Sequence, residues 1–178
     1  FQGNPMVHLA NKDETLVDHP LVSAMNAIGY DAFVPGNHDF DYGLPLLARI
    51  EKQANFSFLA ANALHMKTKK PKWTPYLVKE VKGVRVGIIG LTSPGIPGWL
   101  PKTNYKGLQF EGTIETVSRL LPRLKGQERC DLIVVAFHGG PTNRHTDGDP
   151  NINNGYELAR KVKGIDLLLL GHTHQVVS

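Results

Sequence analysis

The stretch GNHDFDYG, residues 36–43, decides which class of fold the sequence predicts. It follows the short apolar run Ala32-Phe33-Val34 and precedes a segment, residues 46–53, with the pattern of a helix. An amide, an imidazole and carboxylates therefore lie between two glycines, where a strand ends and a helix has not yet begun. Polar groups at such strand-to-helix turns are typical of functional sites in α/β proteins. We expect an α/β fold with a functional loop at residues 36–43.

Composition narrows the class of protein. The 178 residues are 41% hydrophobic and 20% charged, which predicts one globular domain over residues 1–178. The net charge of +4 is spread along the chain, apart from four lysines between residues 67 and 72. A solvated loop explains that cluster better than a surface for a nucleic-acid polymer, so no such partner is expected. No apolar segment approaches the ~18 residues that a membrane-spanning helix needs, so no membrane span is expected.

Two later apolar runs are also followed by histidines. Residues 131–137 and 165–170 are almost entirely hydrophobic, which predicts strands buried on both faces. The first is followed directly by His138, and the second by Gly171-His172-Thr173-His174. If all three strands are parallel neighbours in one sheet, their carboxyl ends lie along one edge and the loops meet there. The sequence then predicts a single site that combines the following side chains: Asn37, His38, Asp41, His138, His172 and His174.

These residue types suit a transition-metal centre. Imidazole nitrogens with amide and carboxylate oxygens favour Zn, Mn or Fe, whereas Mg and Ca prefer oxygen alone. The spacing of two between His172 and His174 would let them serve two adjacent metals. Two divalent ions a few ångströms apart can stabilise both the attacking and the leaving oxygen of a phosphoryl displacement. His38 would then act as a general acid or charge stabiliser, with Asp41 setting its orientation.

The rest of the sequence predicts the helices, strands and loops that support this site. A helix begins at Pro20 and ends at Gly29, and Lys82-Gly83 marks a hairpin between two β-rich runs. A further helix over residues 114–121 should be bent or shortened by Pro122. Two segments are expected to lack regular structure: residues 1–15 and the long loop at residues 92–112. The four histidines outside the predicted site are expected at the surface: His8, His19, His65 and His145.

The histidine-bearing loops closely resemble the calcineurin-like metallophosphoesterases. The pattern of that family includes G-N-H-D/E, a strand that ends in His, and G-H-x-H. These correspond here to residues 36–39, His138 and residues 171–174. The resemblance extends over nearly the whole chain and is specifically to the branch that contains 5'-nucleotidases and 2',3'-cyclic-nucleotide 2'-phosphodiesterase/3'-nucleotidases.

The resemblance implies a fold and a set of roles. The implied fold is a four-layer α/β/β/α sandwich, and the implied centre holds two divalent metals, Mn, Zn or Fe, with a bridging hydroxide that attacks phosphorus. By this comparison Asn37, His138 and His172 would bind one metal and His174 the other. His38 and Asp41 would form the catalytic dyad. The resemblance also implies a nucleotide or other phosphoester substrate, a periplasmic, cell-wall or extracellular location, and a C-terminal nucleotide-binding domain in the full-length protein.

The start of the chain departs from the family pattern. Residues 2–5 resemble the end of the family motif G-D-x-x-Q-G-x-P, whose metal-bridging Asp would lie before Phe1, with the D-x-H motif further upstream. We therefore expect an N-terminally truncated catalytic domain with an incomplete sandwich. It should bind metal weakly and hydrolyse little or nothing alone, whereas the longer natural protein would be a metal-dependent phosphoric ester hydrolase.

Three alternatives remain open at this point. Within the branch, His19-Pro20 and Tyr42-Gly43-Leu44 favour a cyclic phosphodiesterase, whereas Asp41, where such relatives often have Asn, favours a nucleotidase. A non-catalytic binding module with the same fold would also lack the upstream ligands. A metal-dependent amide or carbamate hydrolase uses a His-x-His pair too, but usually on an early strand, unlike residues 171–174.

Overall fold

A four-stranded sheet carries two of the three predicted loops. The computed structural model describes residues 1, 3, 5–13, 15–142 and 152–176. The strands of this sheet are, in spatial order, β4 (Tyr76–Val81), β5 (Val84–Leu91), β7 (Leu132–Phe137) and β8 (Leu167–Leu170). β4 and β5 form the predicted antiparallel hairpin, whereas β5, β7 and β8 run parallel. Because Leu91, Phe137 and Leu170 are register partners, the loops after β7 and β8 begin at the same edge.

Two helices cover one face of this sheet. They are α5 (Thr113–Pro122) and α6 (Gly155–Lys161). Pro122 ends the regular part of α5, and the chain continues as a wider, π-helical turn over Arg123–Gln127, which confirms the predicted disturbance. Proline lacks the N–H that an α-helical turn needs. The helices and strands share a core that includes Val117, Leu121, Leu158, Ile89, Ile133 and Val135.

A second, smaller sheet lies in front of the first. β1 (Ala32–Phe33) pairs in parallel with β2 (Ser57–Phe58), and α2 (Pro20–Ile28) and α3 (Gly43–Gln53) pack on this pair. Gly29 ends α2 in the left-handed conformation, with φ of 83°, as the sequence predicts. The shared core includes Val22, Met25, Leu47, Ile50, Phe56 and Phe58.

The two sheets approach closely at Gly90 of β5. The N–H of Ala61 donates a hydrogen bond of 2.8 Å to the carbonyl oxygen of Gly90. A Cβ at Gly90 would lie 2.3 Å from Cβ of Leu59, so only glycine permits this approach. The layers therefore follow the order helices, small sheet, large sheet, helices, and the predicted mixed α/β sandwich is confirmed.

Both segments that were expected to be irregular contain regular elements. Residues 1–15 include α1 (Pro5–Lys12), whose Val7 and Ala10 are buried. Residues 92–112 include a short helix, α4 (Ile96–Trp99), and the strand β6 (Leu108–Phe110), which pairs antiparallel with β3 (Ala63–His65). Both expectations were wrong because packing orders segments whose glycines and prolines favour turns.

Among the described residues, no helix has the length and apolar character that a membrane crossing requires.

The sheet positions of two predicted strands also differ from expectation. β1 is not a neighbour of β7 and β8 but belongs to the small sheet, because it pairs with β2. β8 is not buried on both faces, since it forms an edge of the large sheet and leaves Leu167 and Leu169 half exposed. The three loops nevertheless meet, because the carboxyl end of β1 faces the loops after β7 and β8.

His19 is the one described histidine whose predicted surface position is wrong. It is 1% exposed, and Nε2 of its ring lies 2.9 Å from Oδ1 of Asn11 on α1. Its backbone N–H donates to Oε1 of Gln53 at 2.8 Å, so His19 joins α1, α2 and α3. His8 and His65 are exposed as predicted, and His145 lies outside the described residues.

Candidate metal centre

Asn37 begins a tight turn directly after the small sheet. The turn is a 3₁₀ helix over Asn37–Phe40, and the side chain of Asp39, within the turn, stabilises it. Oδ2 of Asp39 accepts a hydrogen bond of 2.7 Å from the N–H of Gly36, which closes the turn at its start. Asn37 is buried by this arrangement, and its side chain contacts the loops that follow β7 and β8.

Two of the predicted histidine ligands converge on the side-chain oxygen of a third predicted ligand, Asn37. Nε2 of His138 lies 3.0 Å from Oδ1 of Asn37, and Nδ1 of His172 lies 3.1 Å from the same oxygen. The centroids of the two imidazole rings are 5.2 Å apart. The structure therefore brings Asn37, His138 and His172 together from three loops that are far apart in the sequence.

The three converging atoms fit a divalent metal. Ligand atoms that bind one ion at right angles, each about 2.1 Å away, lie about 3 Å from one another. Two imidazole nitrogens and an amide oxygen are also chemically suited to Zn, Mn or Fe. Among the described residues, no group of three or more His, Cys, Asp and Glu could hold an ion by itself. The third ligand of this set is instead the amide oxygen of an asparagine.

The environment of His138 keeps its ring neutral. Burial, and to a lesser extent the positive charge of a protonated His172, lower the pKa of His138 from 6.5 to about 4. The negative charge of Asp39 raises the pKa of His138, but by less than burial lowers it. The ring lies against the backbone of Gly36, where a Cβ would be 2.4 Å from Cε1 of the imidazole. The ring is therefore uncharged at neutral pH, which is the form in which an imidazole can coordinate a metal.

The loop after β8 holds its histidines in an unusual backbone conformation. His172 and His174 have positive φ values of 71° and 53°. Residues other than glycine adopt this left-handed conformation at an energetic cost. Residues in such conformations are often found at functional sites. The ring of His172 also stacks on the indole of Trp99, with centroids 5.0 Å apart and planes 28° apart.

His38 and Asp41 form the predicted pair on the open side of the turn. Nδ1 of His38 lies 2.9 Å from Oδ2 of Asp41. The side chain of His38 is 65% exposed and that of Asp41 is 21% exposed. Asn104 of the long loop donates a 3.0 Å hydrogen bond to the carbonyl oxygen of Asp41, which fixes the backbone beneath the pair.

His174 stands apart from the converging trio. Within the described part of the chain, no hydrogen bond joins it to Asn37, His138 or His172. Its charge still reaches the site, because a protonated His174 contributes to the lowering of the pKa of His138, as does His38. His172 and His174 together line an open cleft of about 520 Å³, beside Tyr156 and Gln175.

Buried asparagines hold the loops in place, and sequence reasoning gave them no role. Asn62 bonds both the N–H and the carbonyl oxygen of Thr92, at 3.0 and 2.9 Å, and so fixes the chain after β5. Oδ1 of Asn153 accepts a 2.6 Å hydrogen bond from the N–H of Gly140, two residues after His138. Asparagine directly after an apolar run, as at Asn62, is a usable sequence signal. Nothing in the sequence signals the stack of Trp99 on His172.

Comparison with known proteins identifies the family of the chain. The sequence profile of the calcineurin-like phosphoesterases matches residues 10–176, nearly the whole chain. The chain belongs to this family. The trifunctional nucleotide phosphoesterase protein YfkN of Bacillus subtilis (strain 168) is 34% identical over 98% of this calcineurin-like phosphoesterase chain. The 2',3'-cyclic-nucleotide 2'-phosphodiesterase/3'-nucleotidase of Haemophilus influenzae is 30% identical over 99% of it.

Solved structures of the family superpose well on this chain. The crystal structure of YfkN from Bacillus subtilis gives a TM-score of 0.85 at 33% identity, over 98% of this chain and 56% of that one. A 5'-nucleotidase precursor from Thermus thermophilus gives 0.76 at 28% identity, over all of this chain and 32% of that one. The chain spans 13% of the length of the YfkN sequence and 28% of the Haemophilus enzyme.

Proposed function

We propose that the natural protein hydrolyses phosphate esters of nucleotides at a centre of two divalent ions, Mn, Zn or Fe. The observation that carries the proposal is the convergence of His138 Nε2 and His172 Nδ1 on Asn37 Oδ1, at 3.0 and 3.1 Å. The named activities of the relatives, nucleotide phosphoesterase and cyclic-nucleotide phosphodiesterase/3'-nucleotidase, support the substrate class.

In this proposal Asn37, His138 and His172 hold one ion and His174 holds the other. When bound, the ions supply positive charge next to the attacking and leaving oxygens of the phosphoryl group. The depressed pKa of His138 keeps its ring uncharged at neutral pH, so that the ring can bind a metal ion. Asn37 contributes an uncharged oxygen, so it adds no negative charge that would repel an anionic phosphate.

His38 is the proposed general acid. Its Nδ1 bonds to Asp41 at 2.9 Å, so Nε2 is the nitrogen that can give a proton to the leaving oxygen. The contact with the Asp41 carboxylate fixes the orientation of the ring. The 65% exposure of the His38 side chain lets a substrate reach it.

We propose the substrate, the domain organisation and the location of the natural protein by comparison with its relatives. The substrate is a nucleotide monoester or a 2',3'-cyclic nucleotide, since both activities occur in the names of similar proteins. We infer that residues 1–178 form one partial catalytic domain that hydrolyses little or nothing alone. In the natural protein a nucleotide-binding domain would follow it, and the location would be periplasmic, cell-wall or extracellular.

A non-catalytic binding module is the second candidate. It is favoured by one observation, that no set of three His, Cys, Asp and Glu side chains in the described residues could hold an ion. In that case the Asn37 trio would bind metal weakly, and the fold would serve recognition.

Turnover by the natural full-length protein with added Mn²⁺ separates these candidates. The assay compares 2',3'-cyclic AMP, 5'-AMP and an amide, with and without EDTA. The proposal expects EDTA-sensitive phosphoester hydrolysis that Asn37→Ala reduces at least a hundredfold. The matched control His65→Ala changes an exposed histidine of β3 and should leave the rate unchanged. Metal binding without phosphoester turnover would favour the binding module, and amide hydrolysis alone would contradict both.

A further inference from the structure

The backbone carbonyl oxygen of Asp41 lies at the junction between the 3₁₀ helix Asn37–Phe40 and α3. In a continuous α-helix its donor would be the N–H of the residue four positions later, but that residue is Pro45, which has no N–H. Gly43 has a positive φ of 76°, so the chain also changes direction here. The helix itself therefore offers this oxygen no donor at the usual position.

Asn104 supplies a donor from the loop between α4 and β6. Its Nδ2 donates to the carbonyl oxygen of Asp41 at 3.0 Å, across 63 positions of sequence. Oδ1 of the same amide accepts a hydrogen bond of 3.2 Å from Oγ1 of Thr103, which orients the amide so that Nδ2 faces Asp41. A Cβ at Gly43 would lie 4.0 Å from Cα of Asn104. The loop therefore lies against the junction with both its backbone and its side chain.

Aromatic rings join the same loop to the turn that carries His38. The ring of Tyr105, next to Asn104, packs on Phe110 at a centroid distance of 5.8 Å. Phe110 in turn packs on Phe40, also at 5.8 Å, with ring planes 82° apart. Phe40 is 0% exposed and lies two residues after His38. Because these rings pack together in the core, burial as well as a hydrogen bond places Asn104 beside the turn.

We propose that Asn104 is a positioning residue that holds Asp41 in place for its contact with His38. This inference rests on the proposed role of His38 as the general acid. Nδ1 of His38 lies 2.9 Å from Oδ2 of Asp41, and a contact of this length depends on where the Asp41 backbone lies. Both side chains are partly exposed, so water competes for the same polar atoms and an anchored backbone favours their contact. Asn104 thus acts through Asp41 and does not itself touch the substrate.

The test measures kcat of the natural full-length protein with Mn²⁺ for two kinds of ester. One is whichever of 5'-AMP and 2',3'-cyclic AMP is hydrolysed faster, and the other is a p-nitrophenyl ester, whose leaving group needs no proton. Asn104→Ala removes the amide, and Asn104→Asp keeps its shape but replaces the donor by an oxygen. Both variants should lower kcat for the nucleotide about two- to tenfold, the range for one hydrogen bond, and lower it less for the p-nitrophenyl ester. KM and the calorimetric affinity for Mn²⁺ should stay unchanged, which shows that the fold and the metal centre are intact.

A double-mutant cycle with His38→Ala separates positioning from a general effect on the fold. In the His38→Ala background Asn104→Ala should cause no further loss of kcat, because no proton donor is left to position. Asn55→Ala is the matched control, since it removes an exposed asparagine side chain directly after α3. It should leave kcat unchanged in both backgrounds.

The possible failures point to different causes. An unchanged kcat for Asn104→Ala would overturn the positioning role, and so would equal losses with and without His38 or equal losses for the two esters. An unchanged kcat for His38→Ala with the nucleotide would instead show that His38 is not the general acid. Failure of the proposed function is therefore distinguishable from failure of this inference.

Discussion

The imidazole of His138 packs directly on the backbone of Gly36, where a Cβ would lie 2.4 Å from Cε1 of the ring. The backbone at Gly36 is extended, with φ of −90°, which any residue can adopt. Glycine is therefore required at this position by the neighbouring His138 ring and not by the backbone conformation. This contact makes the residue before Asn37 part of the geometry of the site.

Gly36→Ala should therefore displace the His138 ring. We expect the affinity for Mn²⁺ to fall about tenfold or more, as when a residue that orients a metal ligand is changed. Calorimetric titration measures the change. Gly126→Ala is the control, because a Cβ there meets no atom within 4 Å, and it should bind Mn²⁺ normally. Equal affinity for the two variants would contradict the packing argument.

Acid should destabilise the metal-free protein through His138. Its pKa is 6.5 in the reference state and about 4 in the folded state, so between these values the unfolded chain binds a proton that the folded chain does not. Stability is then fully present above pH 6.5 and falls by roughly 3 kcal/mol as the pH drops to about 4. Urea unfolding with EDTA at pH 7 and pH 4.5 measures this loss.

The same measurement on His138→Gln isolates the contribution of this ring. Burial also lowers the pKa of His19, so part of the acid sensitivity should persist in the variant. If the free energy of unfolding of His138→Gln depended on pH as it does in the unchanged protein, the pKa of His138 would not be lowered in the fold.

His38→Ala should reduce kcat without loss of metal affinity. General acid catalysis contributes about 10²- to 10⁴-fold, and the loss should be of this size for a nucleotide substrate. A p-nitrophenyl ester should lose much less, because its leaving group needs no proton. Asp41→Asn should show the same dependence on leaving group with a smaller loss. Equal losses for both kinds of ester would remove His38 from the role of proton donor.

Gly90→Ala should weaken the contact between the two sheets. The added methyl would lie 2.3 Å from Cβ and 2.5 Å from the backbone oxygen of Leu59, neither of which can move without the small sheet. A loss of about 1–3 kcal/mol in the free energy of unfolding is expected. Thermal or urea unfolding measures it, with Gly126→Ala again as the control, and a change below about 0.5 kcal/mol for Gly90→Ala would be inconsistent with close packing.

The sequence predicts most of the candidate site because its residues follow strands. His138 and His172 come directly after apolar runs, and parallel strands in register place such residues at one edge. The sheet to which β1 belongs could not be predicted, since a strand of two residues carries no pairing preference of its own. The burial of His19 was missed for a related reason, because it depends on the unexpected helix α1 and its Asn11.

Contacts between distant loops lie beyond sequence patterns. Trp99 lies on α4, which begins at the buried Ile96, and its indole stacks on His172, whose φ is positive. Periodicity and turn propensity describe each loop separately, whereas the meeting of two loops depends on the fold that holds them. Membership of the calcineurin-like phosphoesterase family supplies the shared fold.

Within the described residues, the leucines of β8 form an exposed apolar edge of the large sheet. A strand that exposes Leu167, Leu169 and Leu170 at the edge of a sheet offers unpaired backbone groups together with apolar side chains, which is the combination that favours edge-to-edge aggregation. A lysine in place of Leu169, which is half exposed, would interrupt that surface while leaving His172 and its neighbours untouched. One short segment of the chain thus combines an exposed edge that favours aggregation with the loop that carries the predicted ligands His172 and His174.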